Sequence, residues 1–112
     1  MGLSTHILNT ASGRPAEGVA ISLHYLNEGR WQHLNDGRTD ADGRCKTILP
    51  PAIAFEAGIY RLRFETKPYY LAQGTPGLYP YVDIVFNIED PGQHYHIPLL
   101  LTPNGYTTYR GS

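Results

Sequence analysis

Apolar and polar side chains alternate along much of this chain, and a sustained period of two reads as β-strand. The pattern is clearest from His94 to Leu101, where Tyr95, Ile97, Leu99 and Leu101 fall on one face, an unbroken apolar row fit for a core. His94, His96, Pro98 and Leu100 fall on the other. Near the start, Leu3, Thr5 and Ile7 alternate with Ser4, His6 and Leu8; near the end, Tyr106 and Thr108 alternate with Thr107 and Tyr109. Turn formers separate such runs: Ser12-Gly13-Arg14-Pro15, Asn27-Glu28-Gly29, Asp42-Gly43, Glu56-Ala57-Gly58, Asp90-Pro91-Gly92 and Asn104-Gly105. Eight strands are predicted, at about 3–10, 18–27, 31–37, 44–49, 58–65, 82–89, 93–102 and 105–111. Within 66–74, Thr66 as N-cap, Pro68 in the first turn and Gly74 as a stop predict one short helix.

Composition agrees with strands and turns. Of 112 residues, nine are Tyr, twelve Gly and nine Pro, with 41% hydrophobic, so an all-β domain spanning 1–112 is expected. Nine Lys and Arg against ten Asp and Glu give a net charge of -1 without a basic run, which argues against a nucleic-acid partner. Lone Cys45 has no partner for an intramolecular disulfide and is expected to be a buried thiol. The first residues lack the charged and apolar regions of a secretory signal, and no apolar run approaches membrane-spanning length. A cytoplasmic protein with no membrane partner is expected.

The outward faces carry the candidate chemistry. Pro98 and Leu100 leave the face bearing His96 half apolar, and a monomer would normally solvate such a face; a second subunit or a ligand is expected to cover it. A strand histidine is more often solvated or hydrogen-bonded than catalytic, and His24 and His33 are read that way. His6 and His96 stand apart because their faces also carry apolar residues. The turn at Asn104-Gly105 makes the last two strands neighbours, which brings Tyr109 toward His96. Arg44 follows the Asp42-Gly43 turn, where a guanidinium could orient carbonyl or anionic groups. Cys45 should point to the opposite side, and Asp40 and Asp42 are read as turn formers. His94-x-His96 joined by His6 offers three imidazoles to a metal, but no carboxylate or cysteine ligand is evident beside them, so a metal site ranks behind the alternatives.

Four segments together carry a resemblance: Leu3-Ser4-Thr5-His6-Ile7-Leu8 with Gly13-Arg14-Pro15-Ala16; Asp42-Gly43-Arg44; His94-Tyr95-His96-Ile97-Pro98-Leu99-Leu100-Leu101; and Gly105-Tyr106-Thr107-Thr108-Tyr109-Arg110-Gly111-Ser112. In this order they resemble the transthyretin-related 5-hydroxyisourate hydrolases, and the terminal Tyr-Arg-Gly-Ser is what separates those enzymes from transthyretin. The resemblance implies a prealbumin-like (transthyretin-like) sandwich of two four-stranded sheets with one short helix. It implies a homotetramer of 222 symmetry with sites in the channel between dimers. It implies His6, Arg44 and His96 as catalytic residues, with Thr107, Tyr109, Arg110, Gly111 and Ser112 shaping the substrate site. The reaction implied is opening of a cyclic amide in a small-molecule substrate, 5-hydroxyisourate, by histidine-activated water, without a cofactor or metal. The alternative is a transthyretin-like carrier binding a small ligand in the same channel. On the resemblance alone, either histidine can be the base.

Overall fold

A computed structural model describes residues 2–111, with nine strands and one helix among them. In chain order these are β1 (Gly2–Asn9), β2 (Arg14–Pro15), β3 (Ala20–Asn27), β4 (Arg30–Arg38), β5 (Arg44–Cys45), β6 (Gly58–Phe64), α1 (Thr66–Ala72), β7 (Val82–Ile88), β8 (His94–Thr102) and β9 (Gly105–Thr108). They form two sheets. One runs β4-β3-β6-β7, wholly antiparallel; the other runs β2-β1-β8-β9, with β5 also paired to β1. The short β2 and β5 divide the free edge of β1: Leu8 and Asn9 pair with β2, Thr5 and His6 with β5. The second sheet is thus four strands wide at every level, as expected, although it contains five.

All eight expected strands are present, the last ending at Thr108 and not at 111, and two further differences have local causes. The strand expected over 44–49 stops at Cys45, because the chain turns inward to bury Ile48 while the Asn35 amide donates to the carbonyls of Thr47 and Ile48 at 3.1 and 3.0 Å. Thr66, expected as the helix N-cap, is instead its first helical residue, after Glu65. At the other end Gly74 has φ +70°, its N–H donates to Leu71 and that of Thr75 to Tyr70, which is the glycine stop the sequence predicted.

The core lies between the sheets. Leu3, Ile7, Tyr95, Ile97, Leu99 and Leu101 face Ile21, Leu23, Tyr60, Leu62, Phe64 and Val82, all buried. Each such side chain contributes about 1.5–3 kcal/mol relative to exposure, so the apolar rows of β1 and β8 fix which side of each strand faces out. Thr5, a hydroxyl in the core row, is satisfied by donating to the Ile97 carbonyl at 2.6 Å.

Candidate active site

The alternation that buries one face of β1 and β8 turns Ser4, His6, Leu8, His94, His96 and Leu100 outward, and register then decides which of them meet. β1 and β8 run parallel with Gly2 beside His94, Ser4 beside His96, His6 beside Pro98 and Leu8 beside Leu100. On its other edge, His6 lies opposite Arg44 of β5. Directly opposed residues share a face, so His6 and Arg44 are neighbours, with His96 one diagonal step away, roughly 7–8 Å between backbones and within reach of long side chains. Three sequence-predicted residues, at least 38 positions apart in the chain, therefore share one outer face. Thr107 joins it opposite Leu100.

Arg44 is held in place by its turn. Gly43 is buried at φ +75°, accepts the Ile7 N–H at 2.7 Å, and an added Cβ there would stand 2.4 Å from the Ile7 carbonyl oxygen. No other residue lets the turn lie so close to β1. Asp40 completes the clamp: its carboxylate accepts the N–H groups of Asp42 and Arg44 at 2.9 and 3.0 Å, and the Arg44 bond holds its pKa below the usual value. Cys45, one residue on, is buried opposite Thr5 on the core side, as predicted.

Pro98 shapes the C-terminal side. It falls on the outer face as expected, yet it is buried within a single chain, flanked by β1 and by the segment after β9. Lacking an N–H, it cannot sustain the β8–β9 ladder, and its carbonyl accepts the Thr108 hydroxyl at 2.7 Å instead. Regular pairing lapses after Thr108 and resumes as one bridge between His96 and Gly111, whose N–H donates to the His96 carbonyl at 2.8 Å. Gly111 sits flat against the imidazole: an added Cβ would be 2.4 Å from Cδ2 of His96. Tyr109, where the ladder has lapsed, is 56% exposed.

Arg110 goes elsewhere. Its guanidinium stacks 4.3 Å over the ring of core-facing Tyr95 and donates to Gln93 at 2.9 Å, so it anchors the terminal segment away from the histidines. Ser112 lies outside the described residues. His24 and His33 are on the other sheet, edge to face at 5.5 Å.

Sequence reasoning assigned nothing to Ser4, and its hydroxyl proves to be the hub of this face. Its Oγ lies 2.8 Å from Nδ1 of His96 and 2.9 Å from Nε2 of His94. Both histidines of the His94-x-His96 pair therefore turn to a hydroxyl. Among the described residues no group of three or more His, Cys, Asp and Glu side chains is arranged to hold a metal ion. The pKa of His96 lies below 6.5, chiefly because burial disfavours the charged ring and next because His6, Arg44 and His94 surround it with positive charge. An imidazole with a lowered pKa, a guanidinium on a backbone clamped by its turn and a second imidazole form a constellation that can take a proton from water and stabilise a carbonyl oxygen as charge develops on it.

Comparison with known proteins adds an independent line. The model of the HIUase/Transthyretin family matches residues 3–111. The 5-hydroxyisourate hydrolase of Mus musculus is 45% identical over 98% of this chain and 94% of its own. Among solved structures, a Klebsiella pneumoniae 5-hydroxyisourate hydrolase superposes with TM-score 0.84 at 41% identity, covering 98% of each chain. A sea bream transthyretin in complex with thyroxine superposes with TM-score 0.91 at 33% identity, covering 97% and 93%. The backbone does not separate the two kinds of protein; the side chains of the outer face must.

Proposed function

The chain belongs to the HIUase/Transthyretin family, and from that membership we propose that it hydrolyses 5-hydroxyisourate in urate degradation. Hydrolysis is favoured over carriage, since relatives more than 40% identical across nearly the whole chain carry the hydrolase name, whereas the thyroxine-bound transthyretin is 33% identical. The observation that carries the reading is the shared outer face of His6, Arg44 and His96. A channel so lined suits a small polar heterocycle better than a large apolar hormone.

In this mechanism Arg44 binds the substrate's oxygens and polarises the carbonyl that becomes an oxyanion, and the histidines orient and deprotonate the attacking water. Water adds to the carbonyl, the cyclic C–N bond breaks, and the proton taken from water goes to the departing nitrogen, giving 2-oxo-4-hydroxy-4-carboxy-5-ureidoimidazoline. The lowered pKa of His96 supports its part, because more of the ring is then neutral near pH 7. Thr107 and Tyr109 line the substrate, and Gly111 seats His96. Arg110 acts at one remove, by tethering the segment that carries Tyr109 and Gly111. Ser112 completes the site in this reading.

The half-buried Leu8 and Leu100 and the exposed Tyr109 support a second subunit over this face, and hence a tetramer with shared sites. A cytoplasmic location belongs to the same reading and rests on Cys45, a free buried thiol that needs no oxidising compartment. No helix among the described residues is long and apolar enough to cross a membrane. The test is direct: purified protein should speed the decay of freshly generated 5-hydroxyisourate absorbance. Decay no faster than in buffer, together with tight binding of a thyroxine-like ligand, would replace the hydrolase with the carrier.

A further inference from the structure

The Ser4 hydroxyl lies between two imidazoles, yet it has only one proton to give. It can donate to at most one of the rings, and when it donates to one while accepting from the other, His94 and His96 take opposite hydrogen-bonding roles. Both rings are seated so that they reach it. His96 rests on Gly111 along its Cδ2 edge, which turns Nδ1 toward β1 and Ser4. His94 lies against Gly2, where φ is +128° and an added Cβ would come 3.3 Å from Nδ1 of His94, leaving Nε2 to meet the hydroxyl at 2.9 Å. Among the described residues, Nε2 of His96 has no hydrogen-bond partner.

We propose that Ser4 is the positioning residue of this site: its hydroxyl accepts the Nδ1–H of His96 and donates to Nε2 of His94, which keeps the Nε2 lone pair of His96 facing the channel. The proposal rests on the hydrolase reading and deepens it, for it selects His96 as the ring ready to take a proton from water. A ring held by Nδ1–H is in the tautomer a base requires, and the partner of Nδ1 is what ordinarily fixes that choice. The reverse arrangement would place a proton on Nε2, leaving His96 unable to accept one. His94 is the exposed end of the chain of bonds, and its role is to fix the rotation of the Ser4 hydroxyl. The titratable and charged groups facing His96 are His6 from β1, Arg44 from β5 and His94 from its own strand.

The experiment combines two-bond ¹H–¹⁵N spectra of the histidine rings, recorded at pH 8, with steady-state kinetics. In the unaltered protein, His96 should show a protonated Nδ1 and an unprotonated Nε2. Ser4→Ala should shift His96 toward the other tautomer and lower kcat roughly tenfold or more, with KM changed less than about twofold. Ser4→Thr, which keeps a hydroxyl, should restore the tautomer and most of the turnover. A protonated Nε2 in the unaltered protein would overturn the proposal. So would a Ser4→Ala protein with an unchanged His96 spectrum, whatever its kcat. The spectra need no turnover, so a protein without hydrolase activity would sink the functional reading while the tautomer result stood or fell separately.

Discussion

Each sheet presents histidines and arginines on its outer face, and the two faces could hardly be more differently resolved. On the β4-β3-β6-β7 sheet, His33, His24, Arg61 and Val85 form one row across the strands. There most charged groups have an internal partner, although Nε of Arg61, like Nδ1 of His24, is buried without a hydrogen-bond partner among the described residues. Arg63 donates to both carboxylate oxygens of Asp83 at 2.8 and 2.9 Å and stacks 3.9 Å over Tyr81; Arg61 stacks 4.6 Å over Trp31; His33 meets Asp36 at 2.9 Å. The pKa of His24 is lowered by burial first and then by Arg61 and His33 beside it. On the β1–β8 face, His6, Arg44 and His96 share a surface with no carboxylate among their neighbours in register. The lesson is that residue type does not mark a site. What marks it is charge and hydrogen-bonding capacity that the fold supports from behind and leaves unspent toward solvent.

The contrast breaks most sharply under paired alanine substitutions. His96→Ala should cost about 10²–10⁴ in kcat/KM, the usual range for a lost general base, while circular dichroism stays unchanged. His24→Ala and His33→Ala should each leave kcat/KM within about twofold. An equal loss from either face would show that catalysis does not reside where we put it.

A subtler test targets the support and not the reacting group. Gly111→Ala places a Cβ 2.4 Å from Cδ2 of His96 and 3.2 Å from Cγ, so the imidazole must tilt or the terminal segment must lift. A displacement near 1 Å in a catalytic group costs up to about 10²-fold, and a loss of about 10- to 100-fold is expected with little change in melting temperature. Unchanged turnover would mean that the ring tolerates the shift and that Gly111 only ends the ladder.

On the other face the expected effect is on stability. Asp83→Asn weakens a bidentate pair whose side chains are 30% and 27% exposed, and about 1 kcal/mol should be lost, lowering Tm by roughly 4 °C without affecting kcat. The Asp83 pKa is lowered, first by the hydrogen bond from Arg63, so this contribution is present above the unfolded carboxylate pKa and disappears as pH falls through the folded one. Acid melting curves of the two proteins should therefore converge. A fall in kcat with stability intact would mean that the two faces communicate.

How much of this was legible beforehand follows from range. Alternation alone placed Ser4, His6, His94 and His96 outward, because one buried face fixes the other in a period of two. It also set Cys45 opposite to Arg44. It could not supply the parallel pairing of β1 with β8, a match of residues about ninety positions apart, and without that register nothing links Ser4 to His96. The family resemblance grouped His6, Arg44 and His96, but it gave neither the burial of Pro98 nor the route of Arg110 to Tyr95. Both depend on where the chain goes after its ladder fails at a residue without an N–H. Ile48 falls within the strand expected over 44–49, and the pull of the core on a single side chain is invisible to a local pattern.

The smallest effect is the most discriminating. His24 and His96 both have pKa values below 6.5, and burial is the leading cause in each; Arg61 and His33 add to it for His24, and His6, Arg44 and His94 for His96. For a base whose folded pKa is depressed, the unfolded chain binds the proton more readily. Stability is therefore whole above pH 6.5 and declines as pH falls through 6.5 toward the folded values. Both histidines contribute to that decline, whereas only His96 should govern the acidic limb of kcat/KM, which we expect below pH 6.5. His24→Gln should flatten the dependence of Tm on pH between roughly 5 and 7 and leave the activity limb in place. Removing one of the groups that lower the His96 pKa, by His94→Gln, should do the opposite to the limb, moving it upward. A limb that follows His24 and ignores His94 would assign the titration to the wrong sheet, and with it the site.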